Sequence, residues 1–228
     1  MMRRALLALL GGLAVPDAGA LAQGQVYEPA PPRGSAFVRF VNTLQGAVQL
    51  RPDFLPAQGL GTEPSQRVGS YTVVENVANR TLRVEVSDGA RRGQGAFRAS
   101  PDSFVTVLIH RGADGNPALT ALAEETDFNR ARARLAFYNA LPDCPAAALQ
   151  LLPGGQTIFA DVPALGTRAR SVNPVTAEVR AVCGQRASTP VALLGLEAGG
   201  MYSVLAIPGE GGTPTAFVTR DVTAPIRR

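Results

Sequence analysis

Sliding the 228-residue chain against itself by 97 positions aligns residues 37–126 with 134–223 without a gap and gives fifteen identities. Phe40 meets Phe137, Asn42 meets Asn139, Leu44 meets Leu141, and Leu55-Pro56 meets Leu152-Pro153. Further along, Gly69 meets Gly166, Asn76 meets Asn173, Arg83 meets Arg180, and Val107-Leu108 meets Val204-Leu205. Gly112, Gly115 and Pro117 then meet Gly209, Gly212 and Pro214. The matches fall on apolar runs and turn residues in the same order. A repeat of this length constrains the fold strongly, because each copy has to close the same kind of core.

The unit is a β unit. Thr81-Leu-Arg-Val-Glu-Val86 and its counterpart Glu178-Val-Arg-Ala-Val-Cys183 alternate apolar and polar residues with period two, as a strand with one buried face requires. In each copy a hairpin follows. Ser103–His110 turns through Gly112–Pro117 into Ala118–Ala123, and Met201–Ile207 turns through Gly209–Pro214 into Thr215–Thr219. With 24 Gly and 18 Pro spread along the chain, short strands joined by turns are favoured over long helices. The expected fold is all-β: two tandem β-sandwiches, Ig-like or jelly-roll-like, at residues 35–128 and 129–228. Arg130, Arg132 and Arg134 alternate at the join and read as a solvated strand face.

Residues 1–22 have the form of a secretory signal. Arg3 and Arg4 precede an apolar run from Ala5 to Val15, and Ala20-Leu21-Ala22 offers a small-x-small cleavage site. The run is too short to span a bilayer, and the rest of the chain has no apolar stretch of about 18 residues, so no transmembrane segment is expected after cleavage near Gln23. In an oxidising compartment the two cysteines, Cys144 and Cys183, are expected to form a disulfide, which would stabilise the fold by about 4 kcal/mol. Residues 23–34 form a Pro-rich arm that prolines hold extended.

Catalytic signatures are sparse. The one histidine, His110, ends an apolar strand and aligns with Ile207 in the other copy, which suits a structural role. The sequence has no Gly-x-Ser-x-Gly elbow, Gly-Asp-Ser block or Asp-x-x-His pair. A Walker loop needs lysine, and all 22 basic residues are arginine, a bias first attributed to codon usage. Gly59-Leu-Gly61 and Gly93-Gln-Gly95 read as loops, and Glu124, Glu125 and Asp127 as adjacent carboxylates, whereas a glycosidase sets its pair on opposite sides of a cleft, a separation that spacing alone leaves open. Two cysteines and one histidine do not make a typical zinc site. No catalytic residue, cofactor or metal is expected. The scattered arginines and absence of Trp exclude a nucleic-acid footprint.

The stretch Val26-Tyr-Glu-Pro-Ala-Pro-Pro-Arg-Gly-Ser-Ala-Phe-Val-Arg-Phe-Val-Asn42 resembles the opening of the AlgF family of periplasmic alginate O-acetylation proteins. Leu135-Ala-Phe-Tyr-Asn139 and Arg170-Ser-Val-Asn-Pro-Val175 resemble further blocks of that family, and the likeness covers roughly residues 26–225. The cysteine pair is not part of the resemblance. The resemblance implies a periplasmic, non-catalytic adaptor or relay in exopolysaccharide O-acetylation, the polymer being alginate, cellulose or another. The implied partners are SGNH-like periplasmic acetyltransferases and a membrane-bound O-acyltransferase. Tyr27, Pro29, Pro31, Pro32 and Arg33 of the arm are the expected docking residues. The alternative is a carbohydrate-binding protein that contacts an anionic exopolysaccharide through arginines. Its weakness is the lack of Trp and the presence of only four tyrosines, Tyr27, Tyr71, Tyr138 and Tyr202, of which Tyr138 and Tyr202 read as partly core.

Overall fold

A computed structural model describes residues 31–124, 129–193 and 195–226, so the signal-like segment and most of the arm, including Tyr27 and Pro29, lie outside the described residues. Pro31–Arg228 forms one compact unit. The expected all-β fold holds, built as two β-sandwiches of the same topology.

In the first sandwich, β1 (Ala36–Asn42), β4 (Thr72–Val74), β7 (Phe104–Arg111) and β8 (Pro117–Glu124) form a sheet in the order β4-β1-β7-β8. Opposite it lie β2 (Val48–Pro52), β3 (Gln58–Leu60), β5 (Leu82–Ser87) and β6 (Arg92–Phe97) in the order β3-β2-β5-β6. The second sandwich repeats this with β9 (Ala133–Asn139), β12 (Gly166–Val172), β16 (Met201–Pro208) and β17 (Pro214–Arg220) in the order β12-β9-β16-β17. Its other sheet runs β11-β10-β13-β14, from β10 (Ala147–Leu152), β11 (Thr157–Val162), β13 (Ala177–Cys183) and β14 (Arg186–Ala187), with β15 (Val191–Leu193) also pairing β13. A short helix, α1 (Pro64–Arg67), interrupts the first copy.

The strand patterns follow from the layering. β5 alternates buried and exposed residues because one face meets solvent, whereas β9 is buried at every position. On β1, Val38 and Phe40 enter the first sandwich's core with Val84 and Val107, while Val41 joins a separate apolar layer with Leu108, Ala136, Tyr138, Leu205 and Phe217. That layer lies between the sheets β4-β1-β7-β8 and β12-β9-β16-β17, so the two sandwiches stack back to back with four sheets in sequence. The central strands of the inner sheets are buried on both faces and form a parallel pair in each, β1 with β7 and β9 with β16. Their near-continuous apolar runs are what such double burial demands.

The repeated asparagines have a physical reason. Asn42 Nδ2 donates to Gly46 O at 2.9 Å and Gly61 O at 2.8 Å, and its Oδ1 accepts from Leu44 N at 3.0 Å. Asn139 Nδ2 donates to Cys144 O at 2.8 Å and Val162 O at 2.9 Å, and its Oδ1 accepts from Leu141 N at 3.3 Å. Each buried amide clamps two loop carbonyls that an apolar side chain would leave unsatisfied.

The expected disulfide is present, with Cys144 and Cys183 Cα atoms 5.9 Å apart. Two sequence readings are corrected. Gly93 and Gly95 lie within β6, and Gly59 within β3, not in loops. A Cβ on Gly93 would fall 1.8 Å from Pro117 O, so the glycines let β6 close onto β8. Arg134 is 6% exposed and does not belong to a solvated face, whereas Arg130 and Arg132, ahead of the strand, are exposed.

Candidate functional site

The polar residues that the fold gathers most closely lie in the seam between the two inner sheets. Residues of β1, β7, β9 and β16 alternate between their own sandwich core and this seam, so Arg39, Thr106, Arg134, Tyr138 and Ser203 all point into it. Arg39 crosses the seam. Its Nη1 donates to Asp221 Oδ1 at 2.6 Å, and its Nη2 donates to Tyr138 OH at 3.0 Å and Ser203 Oγ at 2.9 Å, all in the second copy. Its Nε donates to Thr106 Oγ1 at 2.8 Å in the first copy, and Glu124 Oε1 lies 3.8 Å from Nη2. Ser203 Oγ donates to the Asp221 carboxylate at 2.8 Å. Glu124 accepts from Arg134 Nη2 at 3.0 Å and, at short range, from Tyr71 OH and Thr106 Oγ1. The guanidinium carbon of Arg39 sits 4.4 Å from the Tyr71 ring centroid.

Two guanidinium groups and two carboxylates thus meet in a desolvated layer. The Arg39 side chain is 1% exposed, Asp221 0% and Glu124 2%. Glu124 aligns with Asp221 and Thr106 with Ser203 under the 97-residue shift, so the repeat brings an acid and a hydroxyl from each copy to the same place. Burial disfavours the charge on Arg39, but the surrounding Tyr138, Asp221, Tyr71 and Glu124 outweigh it and hold the guanidinium protonated. Burial likewise opposes the Glu124 carboxylate, yet Arg39 and Arg134, with the Thr106 and Tyr71 hydroxyls, keep its pKa below the ordinary value. Burial pushes the Tyr138 phenol up to about 12, so it stays a neutral hydrogen-bonding group. Its carboxylates and hydroxyls are paired, and the arrangement is closed to solvent. Its chemistry is cohesion: it joins the two sandwiches through charges that neither can satisfy alone.

Of the residues singled out in the sequence, Glu124, Arg134, Tyr71 and Tyr138 meet in the seam, and the others fall elsewhere. His110 is buried, with Nε2 2.9 Å from Thr120 Oγ1 and Nδ1 3.0 Å from Arg111 O, so both ring nitrogens have neighbours within hydrogen-bond distance. Pro32 and Arg33 are exposed and Pro31 half-buried at the end of the arm, which Val77 N anchors by donating to Gly34 O at 3.0 Å. Tyr71 and Tyr138 are buried in the seam, and Tyr202 packs in the second core. Among the described residues no cluster of metal-ligating side chains forms, and no helix is long and apolar enough to cross a membrane. Sequence reasoning missed Arg39, Thr106, Ser203 and Asp221. The available signal was an arginine inside the apolar run Phe37-Val-Arg-Phe-Val41 together with carboxylates at repeat-equivalent positions.

The outward faces of the two sandwiches differ. Across β2, β5 and β6 the first presents Gln49, Arg51, Glu85, Arg92 and Gln94, lining a shallow groove of about 550 Å³ that continues past Asp53 and Arg83. On the second, Arg180 Nε donates to Gln150 Oε1 at 3.1 Å, between Glu178 and the paired Ala148 and Val182. No protein-family model matches the chain, and no curated protein matches it.

Proposed function

We propose that this protein is an exported, non-catalytic scaffold that holds the components of an exopolysaccharide O-acetylation complex in register. The observation that supports this most directly is the seam. The inner sheets of both copies are consumed by packing on each other and locked by Arg39, leaving two unlike outer faces on opposite sides of a stiff body. With sheets spaced about 10 Å apart, those faces are about 30 Å apart, enough to hold two partners without contact between them. A catalytic role would call for an accessible nucleophile and base, and the seam offers neither, since its hydroxyls and carboxylates are buried and paired.

The mature chain would begin near Gln23, with the periplasm as its compartment, and the Cys144–Cys183 disulfide is consistent with an oxidising one. The resemblance of residues 26–42 to the AlgF opening supplies the partner class, SGNH-like acetyltransferases and a membrane-bound O-acyltransferase. The arm Tyr27–Arg33, continuing into the anchored Gly34, adds a third contact element. The test is co-purification of the tagged chain with those acetyltransferases from its own cells. Recovery is expected with the intact chain and reduced when residues 23–34 are deleted. Absence of any acetyltransferase from the intact chain's eluate would refute the scaffold.

A further inference from the structure

Arg67 ends α1 and is 7% exposed, yet no carboxylate lies within ion-pair distance of it among the described residues. Its Nη1 donates to two main-chain carbonyls, Asn42 O at 3.0 Å and Leu44 O at 2.7 Å. These bonds hold the guanidinium plane fixed. Its Nε and Nη2 have no protein acceptor among the described residues. Arg39 and Arg134, the other buried arginines, both have carboxylate partners. Burial pulls the Arg67 pKa down, with Glu63 opposing, as expected for a cation that lacks a close counter-charge.

The Arg67 side chain lines a cleft of about 540 Å³ between the two sandwiches, within the size range of small-ligand sites. Gln45 and Thr62 of the first copy and Thr189 and Thr215 of the second line it too, with Phe217 as an apolar wall. Gln45 Nε2 bridges the copies by donating to Pro208 O at 2.5 Å. In the repeat the position of Arg67 is taken by Ala164, so the cation is particular to this cleft.

The chemistry narrows the ligand. Nε and Nη2 form one edge of a guanidinium, the geometry that accepts a carboxylate through two parallel hydrogen bonds. Arg67 is the one cation in the lining, which also contains the anionic Glu210, so a singly charged carboxylate fits better than a dianionic phosphate. Four threonine hydroxyls, of Thr62, Thr189, Thr213 and Thr215, and the Gln45 amide suit a ligand rich in hydroxyls. We propose that this cleft binds a uronate residue of an acidic glycan, its carboxylate held by Arg67 Nε and Nη2. This site goes beyond the scaffold and does not depend on it, since partner docking can hold or fail independently of glycan contact.

The test is NMR titration of the full chain with trigalacturonate, maltotriose and inorganic phosphate. Trigalacturonate should shift the amides of Gln45, Arg67, Thr215 and Phe217, with maltotriose at least about tenfold weaker for want of the carboxylate. Arg67→Gln should weaken trigalacturonate binding at least about tenfold, and Thr215→Val, at an exposed position, a few-fold with the fold intact. Thr215→Val decides the matter if Arg67→Gln does not fold. No shift with trigalacturonate up to about 10 mM, tighter binding of phosphate, or binding indifferent to the variants that fold would overturn the proposal.

Discussion

Replacing Arg39 with methionine keeps most of the side chain's length and removes the charge that joins the two sandwiches. Asp221, with its side chain 0% exposed, then loses the donor at 2.6 Å and keeps the Ser203 hydroxyl as a neutral partner. Glu124 is affected less, because Arg134 still donates to it at 3.0 Å. Tyr138, Ser203 and Thr106 each lose the guanidinium as a donor. Leaving one buried carboxylate without its cation costs about 3–5 kcal/mol, a large part of the stability of most proteins. The assay is urea unfolding followed by far-UV circular dichroism, since the chain has no tryptophan. Asp221→Asn removes the stranded charge, so the double variant Arg39→Met/Asp221→Asn should be more stable than the sum of the single losses by about 1–3 kcal/mol. A loss below about 1 kcal/mol for Arg39→Met, or strict additivity in the double variant, would refute the claim that this pair locks the seam.

Other consequences are testable on the same footing. The folded pKa of Glu124 lies below its unfolded value near 4.3, so its contribution to stability is present above that value and is lost as the pH falls through the folded pKa. The protein should therefore lose stability at pH values below the ordinary carboxylate range, and Glu124→Gln should flatten that acid limb in urea midpoints taken across pH. Gly93→Ala drives a methyl into Pro117 O and should cost at least about 1–3 kcal/mol, whereas Gly46→Ala, with open space at its Cβ, should change the melting temperature little. Changing both Cys144 and Cys183 to serine should cost about 4 kcal/mol by chain entropy, measured by the same unfolding assay.

The repeat was legible because the residues it keeps serve local purposes: Asn42 and Asn139 clamp loops, and Val107-Leu108 and Val204-Leu205 occupy the same strand positions. Hairpins such as β7–β8 and β16–β17 were legible for the same reason, since turn glycines and alternation are local signals. The disulfide followed from compartment chemistry. The parallel pairing of β1 with β7 was not legible, because those strands are separated by more than sixty residues and no local pattern marks the partner. Nor was the seam. An arginine in alternation, such as Arg134, looks solvated from sequence, and only the stacking of the second sandwich reverses its environment. Arg67 was hidden likewise, because its cleft exists only once both copies are in place.

The scaffold account is tested most directly by the ester-linked acetyl content of the exopolysaccharide secreted by a clean deletion strain and by its complemented counterpart. The account predicts that deletion removes the acetyl groups while polymer yield is retained, and that complementation restores them. Unchanged acetylation, in a strain shown to acetylate its polymer, would contradict it.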